Sequence, residues 1–355
     1  MLTIDGSIGE GGGQILRTAI ALSALLLKPI RVINIRAKRP RPGLRPQHLM
    51  SIKAVASLCN AEVNGLTIGS REITFKPRKL VGGEFKFDIG TAGSISLVLQ
   101  ALLPVAAFLP EPTRFKIKGG TDVPKSPPID YLKHVFSQIL EKMGVKVDIN
   151  IVRRGHYPRG GGIVEVSVDP VKFLKPLNVT ERGRIIEIRG ISHAVKLPAH
   201  VAERQKKSAI DFLRKKLPDT PIQVITETYD PRRDPHFGPG SGIVLWAITE
   251  KNVLGGDSLG ARGKPAEVVG REAAEKLWFE LSSGMAFDRH SGDMIIPYMA
   301  LARGFSRIGI STSTLHLTTN IRLVEEITGV KFNMKPYGKG IQLEVNGLGY
   351  SNPAL

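Results

Sequence analysis

Asp5-Gly6-Ser7-Ile8-Gly9-Glu10-Gly11-Gly12-Gly13-Gln14-Ile15-Leu16-Arg17 joins a short strand-like run to an apolar helical pattern made by Ile15, Leu16, Ala19, Leu22, Leu25 and Leu26. A strand–glycine–helix junction leaves backbone N–H groups unpaired at the helix start, where the helix dipole favours an anion. Glycine lacks a Cβ, so a ligand can approach the backbone closely there. Glu10 is a candidate ligand for a divalent metal, and Arg17, one turn into the helix, a candidate for phosphate oxygens. The same stretch also describes an ordinary tight turn. On its own it does not separate the two readings.

Two later segments repeat the layout. Gly93-Ser94-Ile95 opens a helical run through Ala107, with a strand from Arg114 to Lys118. Gly292-Asp293-Met294 opens another through Ala302, with a strand from Arg307 to Ser311. Each copy then continues with a second helix (Gln47 to Cys59, Ile129 to Met143, His316 to Ile327) and a pair of strands. Alternation at Val145, Val147, Ile149 and Ile151, and again at Ile341, Leu343 and Val345, is that of half-buried strands. The interval from Gly93 to Gly292 is more than twice that from Gly13 to Gly93, so an insertion separates the second copy from the third. Its expected limits are 182–281, inside a large domain formed by 1–181 and 282–355. Within it we read strand Ile185 to Ile191, helix Ala199 to Leu217, strands Ile222 to Thr228 and Gly242 to Thr249, and helix Pro265 to Leu281. The expected fold is therefore α+β: three repeated units of a small β-sheet and two helices, with a smaller inserted α/β domain of thioredoxin-like order. The insertion holds no Cys-x-x-Cys, so a redox role is excluded.

Composition narrows the class. At 355 residues the chain is too long for one ordinary core, and 42% hydrophobic residues describe a globular protein. The longest apolar run, Ile95 to Leu109, is interrupted by Gln100 and Pro104 and reads as a buried helix, not a membrane span. The N-terminus enters a strand-like segment without a basic leader, which predicts a cytoplasmic location. The single cysteine, Cys59, excludes a disulfide framework and a cysteine zinc cluster, and falls on an apolar helix side with Ala54, Val55 and Leu58. A net charge of +18 attracts polyanions. Arg36, Lys38, Arg39, Arg41 and Arg45 crowd into a loop with Pro40, Pro42 and Gly43, a candidate for phosphate contacts or simply a solvated loop. Aromatic residues, at 6%, are too sparse for a base-stacking platform.

Eight histidines occur, and no pair has helix-ligand spacing beside carboxylates, so a histidine-rich metal site is not expected. His316 stands out by position. In Ser311 to Asn320 the strand of the third copy gives way to a helix, and a helix start disfavours a protonated imidazole, keeping the ring neutral and nucleophilic. A histidine that merely helps cap that helix is the alternative.

Six blocks together resemble a known family: Asp5 to Arg17, Arg36 to Leu49 (RAKRPRPGLRPQHL), Gly90 to Gln100 (GTAGSISLVLQ), Gly119 to Pro128 (GGTDVPKSPP), His156 to Gly162 (HYPRGGG) and Leu315 to Ile321 (LHLTTNI). They are similar, in order and over nearly the whole chain, to RNA 3′-terminal phosphate cyclases, whose fold is a three-repeat large domain with an inserted small one. The resemblance implies an ATP-dependent ligase-type reaction. A histidine attacks the α-phosphorus of ATP and forms a covalent histidine–AMP, and pyrophosphate leaves. AMP passes to the RNA 3′-phosphate as RNA(3′)pp(5′)A. The 2′-hydroxyl then closes a 2′,3′-cyclic phosphate and expels AMP.

Carried onto this chain, the resemblance makes His316 the nucleophile and Glu10 the residue associated with a divalent metal, Mg²⁺ or Mn²⁺. It places Arg17, Arg39 and Gln47 on phosphates of ATP or the RNA end, Gln100 on ATP, and Pro127 against the nucleotide. His290-Ser291-Gly292-Asp293-Met294 matches an ATP-binding loop that usually reads His-x-Ala-Asp-Gln. Gly292 and Met294 depart from it, and Met294 cannot donate a hydrogen bond. Asp293 is kept and would orient the imidazole or the nucleotide. The implied partner is RNA with a 3′-phosphate, with no membrane, and a homodimer is compatible. Three rivals remain: a non-catalytic cyclase-like protein of ribosome assembly, an enolpyruvyl transferase, and a plain RNA-binding module. The first lacks the histidine that this chain has, the second's characteristic motifs are not visible here, and the third gives no reason for the glycine junction.

Overall fold

Leu2 and Ile4 alternate with polar residues, and Leu2–Asp5 forms β1 in the computed structural model, which describes residues 1–355. Glycines are poor helix formers, so α1 (Gly13–Leu26) begins only at Gly13, with Gly12 extended as its N-cap. β2 (Ile30–Ile33) returns parallel to β1, Leu2 opposite Ile30 and Asp5 opposite Ile33. The basic loop follows, then α2 (Pro46–Cys59), β3 (Glu62–Asn64) and β4 (Ile73–Lys76). The sheet order is β1-β2-β4-β3, with β4 antiparallel to both of its neighbours.

The next copy repeats this plan with β5 (Glu84–Asp88), α3 (Ile95–Ala106) and β6 (Thr113–Gly119). A second helix runs as α4 (Ile129–Tyr131), a π-helical turn (Leu132–Phe136) and α5 (Ser137–Lys142). β7 (Lys146–Arg153) and β8 (Gly162–Asp169) complete the order β5-β6-β8-β7. β9 (Asn178–Val179) starts a third sheet, which the chain leaves at once for β10 (Ile185–Val195), α6 (His200–Lys216), β11 (Ile222–Thr228), β12 (Gly240–Thr249), β13 (Val253–Leu259) and α7 (Ala266–Ser282). The chain then resumes the third unit with α8 (Arg289–Met294), α9 (Ile296–Leu301), β14 (Phe305–Ile310), α10 (Leu315–Thr328), β15 (Phe332–Tyr337) and β16 (Gly340–Asn346). Its order, β9-β14-β16-β15, has the same parallel first pair and antiparallel remainder as the other two. The architecture is mixed α+β, with four four-stranded sheets.

The three repeated units share one core of 69 buried apolar residues, whereas the sheet β11-β10-β12-β13 has a separate cluster of 13 beneath α6 and α7. α1 lies at the centre of the shared core and packs on α2, α3 and α10. Its first turn therefore faces elements from all three copies.

Three strands escape the sequence reading. β5 is short and three of its five residues are charged, and β9 has only two residues. β13 carries Gly255 and Gly256, poor strand formers by propensity. Packing explains them: a Cβ on Gly255 would lie 2.5 Å from the Tyr131 ring, and one on Gly256 would lie 2.6 Å from the backbone nitrogen of Leu277. The helix expected to open at Gly292 starts earlier, because the Asp288 carboxylate accepts from the backbone N–H groups of His290 and Ser291 as an N-cap. Pro297 then supplies no N–H, and the helix is split into α8 and α9 at Ile295.

Gly270, in the middle of α7, tests packing against propensity. Alanine there is the better helix former by about 1 kcal/mol, but its methyl would meet the carbonyl oxygen of Gln205 on α6. Gly270→Ala should destabilise the protein by about 1–3 kcal/mol in denaturant unfolding, whereas a gain would show that α6 and α7 separate freely.

Candidate active site

Gly9 and Gly11 both sit at positive φ, +55° and +59°, a conformation that L side chains rarely adopt. A Cβ on Gly9 would strike the Thr319 hydroxyl, and one on Gly12 would come within 2.7 Å of an Arg39 nitrogen. The absent side chains thus let α10 and the basic loop close onto the start of α1. Thr314 caps α10 by accepting from the Leu317 N–H at 2.9 Å, and His316 is the second residue of the helix.

The His316 ring is held from one side. Its Nδ1 lies 2.6 Å from Gln14 Oε1 and 2.9 Å from Glu10 Oε2. Both atoms accept hydrogen bonds, so the proton of a neutral ring belongs on Nδ1 and Nε2 keeps its lone pair. Burial lowers the imidazole pKa, Asp293 opposes the shift, and Arg17 and Arg39 reinforce it. The ring is 50% exposed, which leaves it open to a ligand. Glu10 also ion-pairs with Arg39, and its backbone N–H donates to the Thr319 hydroxyl.

Arg17 is only 8% exposed and has no carboxylate partner. One nitrogen donates to Gln100 Oε1 at 3.3 Å, while Nε has no partner at all. Burial pulls the guanidinium pKa down to about 10. A buried cation without a counter-charge is a standing demand for an anion. Beside it Gln100 Nε2 lies 3.0 Å from the Met294 sulfur. Asp293 Oδ1 accepts from the Thr314 hydroxyl at 2.7 Å, and its backbone carbonyl accepts from Asn320, which in turn accepts from Thr18. Burial pushes the Asp293 carboxyl up to about 6. Gln14, Arg17, Gln100, Asp293, Met294 and Asn320 line one cavity that opens to solvent.

A second polar chain runs from the basic loop to the 119–128 segment. Gln47 Oε1 accepts from the Ser94 N–H at 3.2 Å, the Ser94 and Ser96 hydroxyls share a bond, and Ser96 donates to the Pro127 carbonyl at 2.6 Å. His48 is buried against Gly13 and Arg17, and burial drives its pKa down to about 3. In the loop itself, Arg36 donates to the Arg41 and Gly43 carbonyls and so shapes the turn.

The expected residues thus fall into two groups. Glu10, Arg17, Arg39, Gln100, Asp293, Met294 and His316 converge, with Gln47 and Pro127 tied in through Ser94 and Ser96 on α3. Three residues of the 290–294 loop do not reach the cavity. His290 is exposed and meets the Tyr131 ring edge-on, at 6.2 Å between centroids. Ser291 is fully buried and donates to the Asp288 carbonyl, and Gly292 packs on Ile310. Helical rotation carries these three away from the face shared by Asp293 and Met294. Gln14, Thr314 and Asn320 were not singled out, although each stands in a block that was quoted.

The histidine expectation meets one candidate: donor atoms of Asp122, His156 and His193 all lie within 4.8 Å of one another, all buried, a set that could hold a metal ion. Sequence spacing could not find it, because the three come from separate segments that only folding brings together.

The sequence has counterparts. The model of a family described as RNA 3′-terminal phosphate cyclase matches residues 8–334. A protein of that name from Hyperthermus butylicus is 57% identical over 360 residues, covering 99% of each chain. Those from Desulfurococcus amylolyticus and Methanopyrus kandleri are 59% and 52% identical, over 91% and 94% of this chain and 91% and 95% of their own.

The raised Asp293 pKa carries a stability prediction. An acid whose folded pKa, about 6, exceeds its ordinary value of 3.8 weakens the fold as it ionises, fully so above about pH 6 and not at all below its unfolded pKa. Asp293→Asn keeps an oxygen for Thr314 and removes the charge. It should stabilise the protein by about 2 kcal/mol above pH 6 and leave stability unchanged near pH 4. Equal stability at neutral pH would show that the carboxylate is compensated.

Proposed function

The chain belongs to the RNA 3′-terminal phosphate cyclase family, and on that premise we propose that His316 is the residue through which it passes adenylate to RNA. The protein is an ATP-dependent enzyme that converts an RNA 3′-terminal phosphate to a 2′,3′-cyclic phosphate by way of a covalent histidine–AMP. One observation carries the assignment: Nδ1 of His316 is held by Gln14 and Glu10, leaving Nε2 as the free nucleophile beside the unpaired cation Arg17.

In the first step Nε2 attacks the α-phosphorus of ATP, the N–P bond forms, and the bond to the leaving pyrophosphate breaks. Glu10 and Gln14 hold the Nδ1 proton and so steady the positive charge that develops on the ring, as a carboxylate does for other nucleophile–imidazole pairs. Arg17 takes phosphate oxygens, for which its guanidinium has no competing carboxylate in the protein. Gln100 and Asp293 border the same cavity and orient the nucleotide. In the second step an oxygen of the RNA 3′-phosphate attacks the adenylyl phosphorus and the N–P bond breaks. In the third the 2′-hydroxyl loses its proton and attacks the activated 3′-phosphorus, and AMP leaves. This closure is intramolecular, so proximity supplies much of its rate. Arg39 and Gln47 would hold the RNA terminus, and the +18 charge favours its encounter.

Glu10, the carboxylate at the glycine junction, would hold a divalent cation beside the nucleotide. When bound, such an ion supplies charge neutralisation on the triphosphate. We place the insertion at 182–281 within a large unit of 1–181 and 282–355, and the order β11-β10-β12-β13 supports its thioredoxin-like reading.

Incubation with α-labelled ATP and Mg²⁺ or Mn²⁺ should label the wild-type chain and not His316→Ala, while Arg39→Ala should still be labelled but transfer to 3′-phosphorylated RNA about 10–100-fold more slowly. Label on His316→Ala, or normal cyclisation by Arg39→Ala, would contradict these roles. Adenylation should fall only when the pH drops below the usual imidazole range, because the ring must be neutral to attack.

A further inference from the structure

Behind the nucleotide cavity, where the second repeat meets the sheet β10–β13, the rings of His156 and His193 face one another around Asp122. The two Nε2 atoms are 2.9 Å apart, and each lies 3.9 Å from an oxygen of Asp122. The side chains are 6%, 0% and 0% exposed for His156, His193 and Asp122. These separations bracket the value of about 3.4 Å between two donors of a tetrahedral zinc with bonds of about 2.1 Å. We propose that Asp122, His156 and His193 bind a zinc ion that fastens β10 to the second repeat, separate from any ion held by Glu10.

Three further observations point to a ligand. Asp122 Oδ1 is buried with no hydrogen-bond partner, and its other oxygen accepts from Thr121 at 2.7 Å. Neither imidazole has a partner at Nδ1, and the two Nε2 atoms share a single hydrogen bond with each other, whose proton a metal ion would displace. The charge balance is also open. Asp122, Asp130 and Glu227 gather on the one guanidinium of Arg154, at 3.4, 2.6 and 2.7 Å, so carboxyl groups outnumber cations in the cluster. A divalent cation closes that balance.

The surroundings are shaped for the two rings. Gly240 of β12 leaves the space that the His156 ring occupies, and a Cβ on Gly242 would come within 3.1 Å of His193 Cε1. Asp122 and His156 come from the second repeat and His193 from β10, so one ion would add a crosslink to segments that also meet through Arg154–Glu227, the stacking of His134 on Trp246 and the packing of Gly255 on Tyr131. None of the cluster residues hydrogen-bonds or ion-pairs with the groups around His316, so the ion would be structural.

The test uses the full chain without an affinity tag, loaded with Zn²⁺, dialysed and measured by elemental analysis. Wild type and Glu10→Gln should each keep about one zinc per chain, and Asp122→Asn and His193→Ala should each keep less than about a tenth of that. A strong chelator should lower the unfolding temperature of the wild type and not that of His193→Ala. Loading with Co²⁺ gives a second reading on wild type alone, a tetrahedral visible spectrum, which serves even if the variants fail to fold. No retained metal and no such spectrum in the wild type would overturn the proposal. Equal zinc in wild type and His193→Ala would overturn it as well. Labelling of His316 by ATP is read independently, so loss of the zinc site leaves the catalytic assignment standing.

Discussion

Everything at the active site depends on the backbone between Gly9 and Gly13 running without side chains. Two residues there hold positive φ, and Cβ atoms at Gly9, Gly12 and Gly13 would collide with Thr319, Arg39 and His48. The collisions name the three segments that the junction admits: the first turn of α10, the basic loop and the start of α2. Only because they close to contact do Glu10 and Gln14 reach the imidazole of His316. The helix start of one repeat is thus completed by the helix start of another, a use of internal repetition that a single copy could not supply.

Electrostatics give the site its direction. Arg17 is buried without a counter-charge, Asp293 is pushed toward its neutral form, and His316 toward its neutral form. Each shift has burial as its largest cause, and Arg17 is left without an ion-paired negative charge. A triphosphate supplies that charge, so ground-state strain in the empty protein becomes binding energy for the nucleotide. The buried cluster around Arg154 shows the opposite imbalance, three carboxylates to one cation. That contrast explains why a phosphate suits one place and a metal ion the other.

The parts of this architecture that were legible in the sequence are those with strong local signals. The glycine junction, the long apolar helices and the alternating strands β7, β8 and β16 announce themselves by spacing. The three-fold repetition, read from helix-opening glycines, survives in the three matching sheet orders. Strands β5, β9 and β13 were not legible, because they owe their conformation to a neighbouring strand or to an aromatic ring packed where a Cβ would lie. At the site, residues next to a quoted glycine or hydroxyl were within reach of sequence reasoning, and the inward turn of Ser291 and Gly292 was not, since it follows from the cap at Asp288. The Asp122–His156–His193 grouping was invisible for the same reason: its members meet only through tertiary structure.

The central claim is that one ring nitrogen is held and the other reacts. Tandem mass spectrometry of the protein after exposure to ATP and a divalent cation, joined with ³¹P–¹⁵N NMR of histidine-labelled protein, locates the adenylyl group directly. The account predicts a phosphoramidate on Nε2 of His316. An adduct on Nδ1 of that ring, on another residue, or no adduct at all, would contradict it.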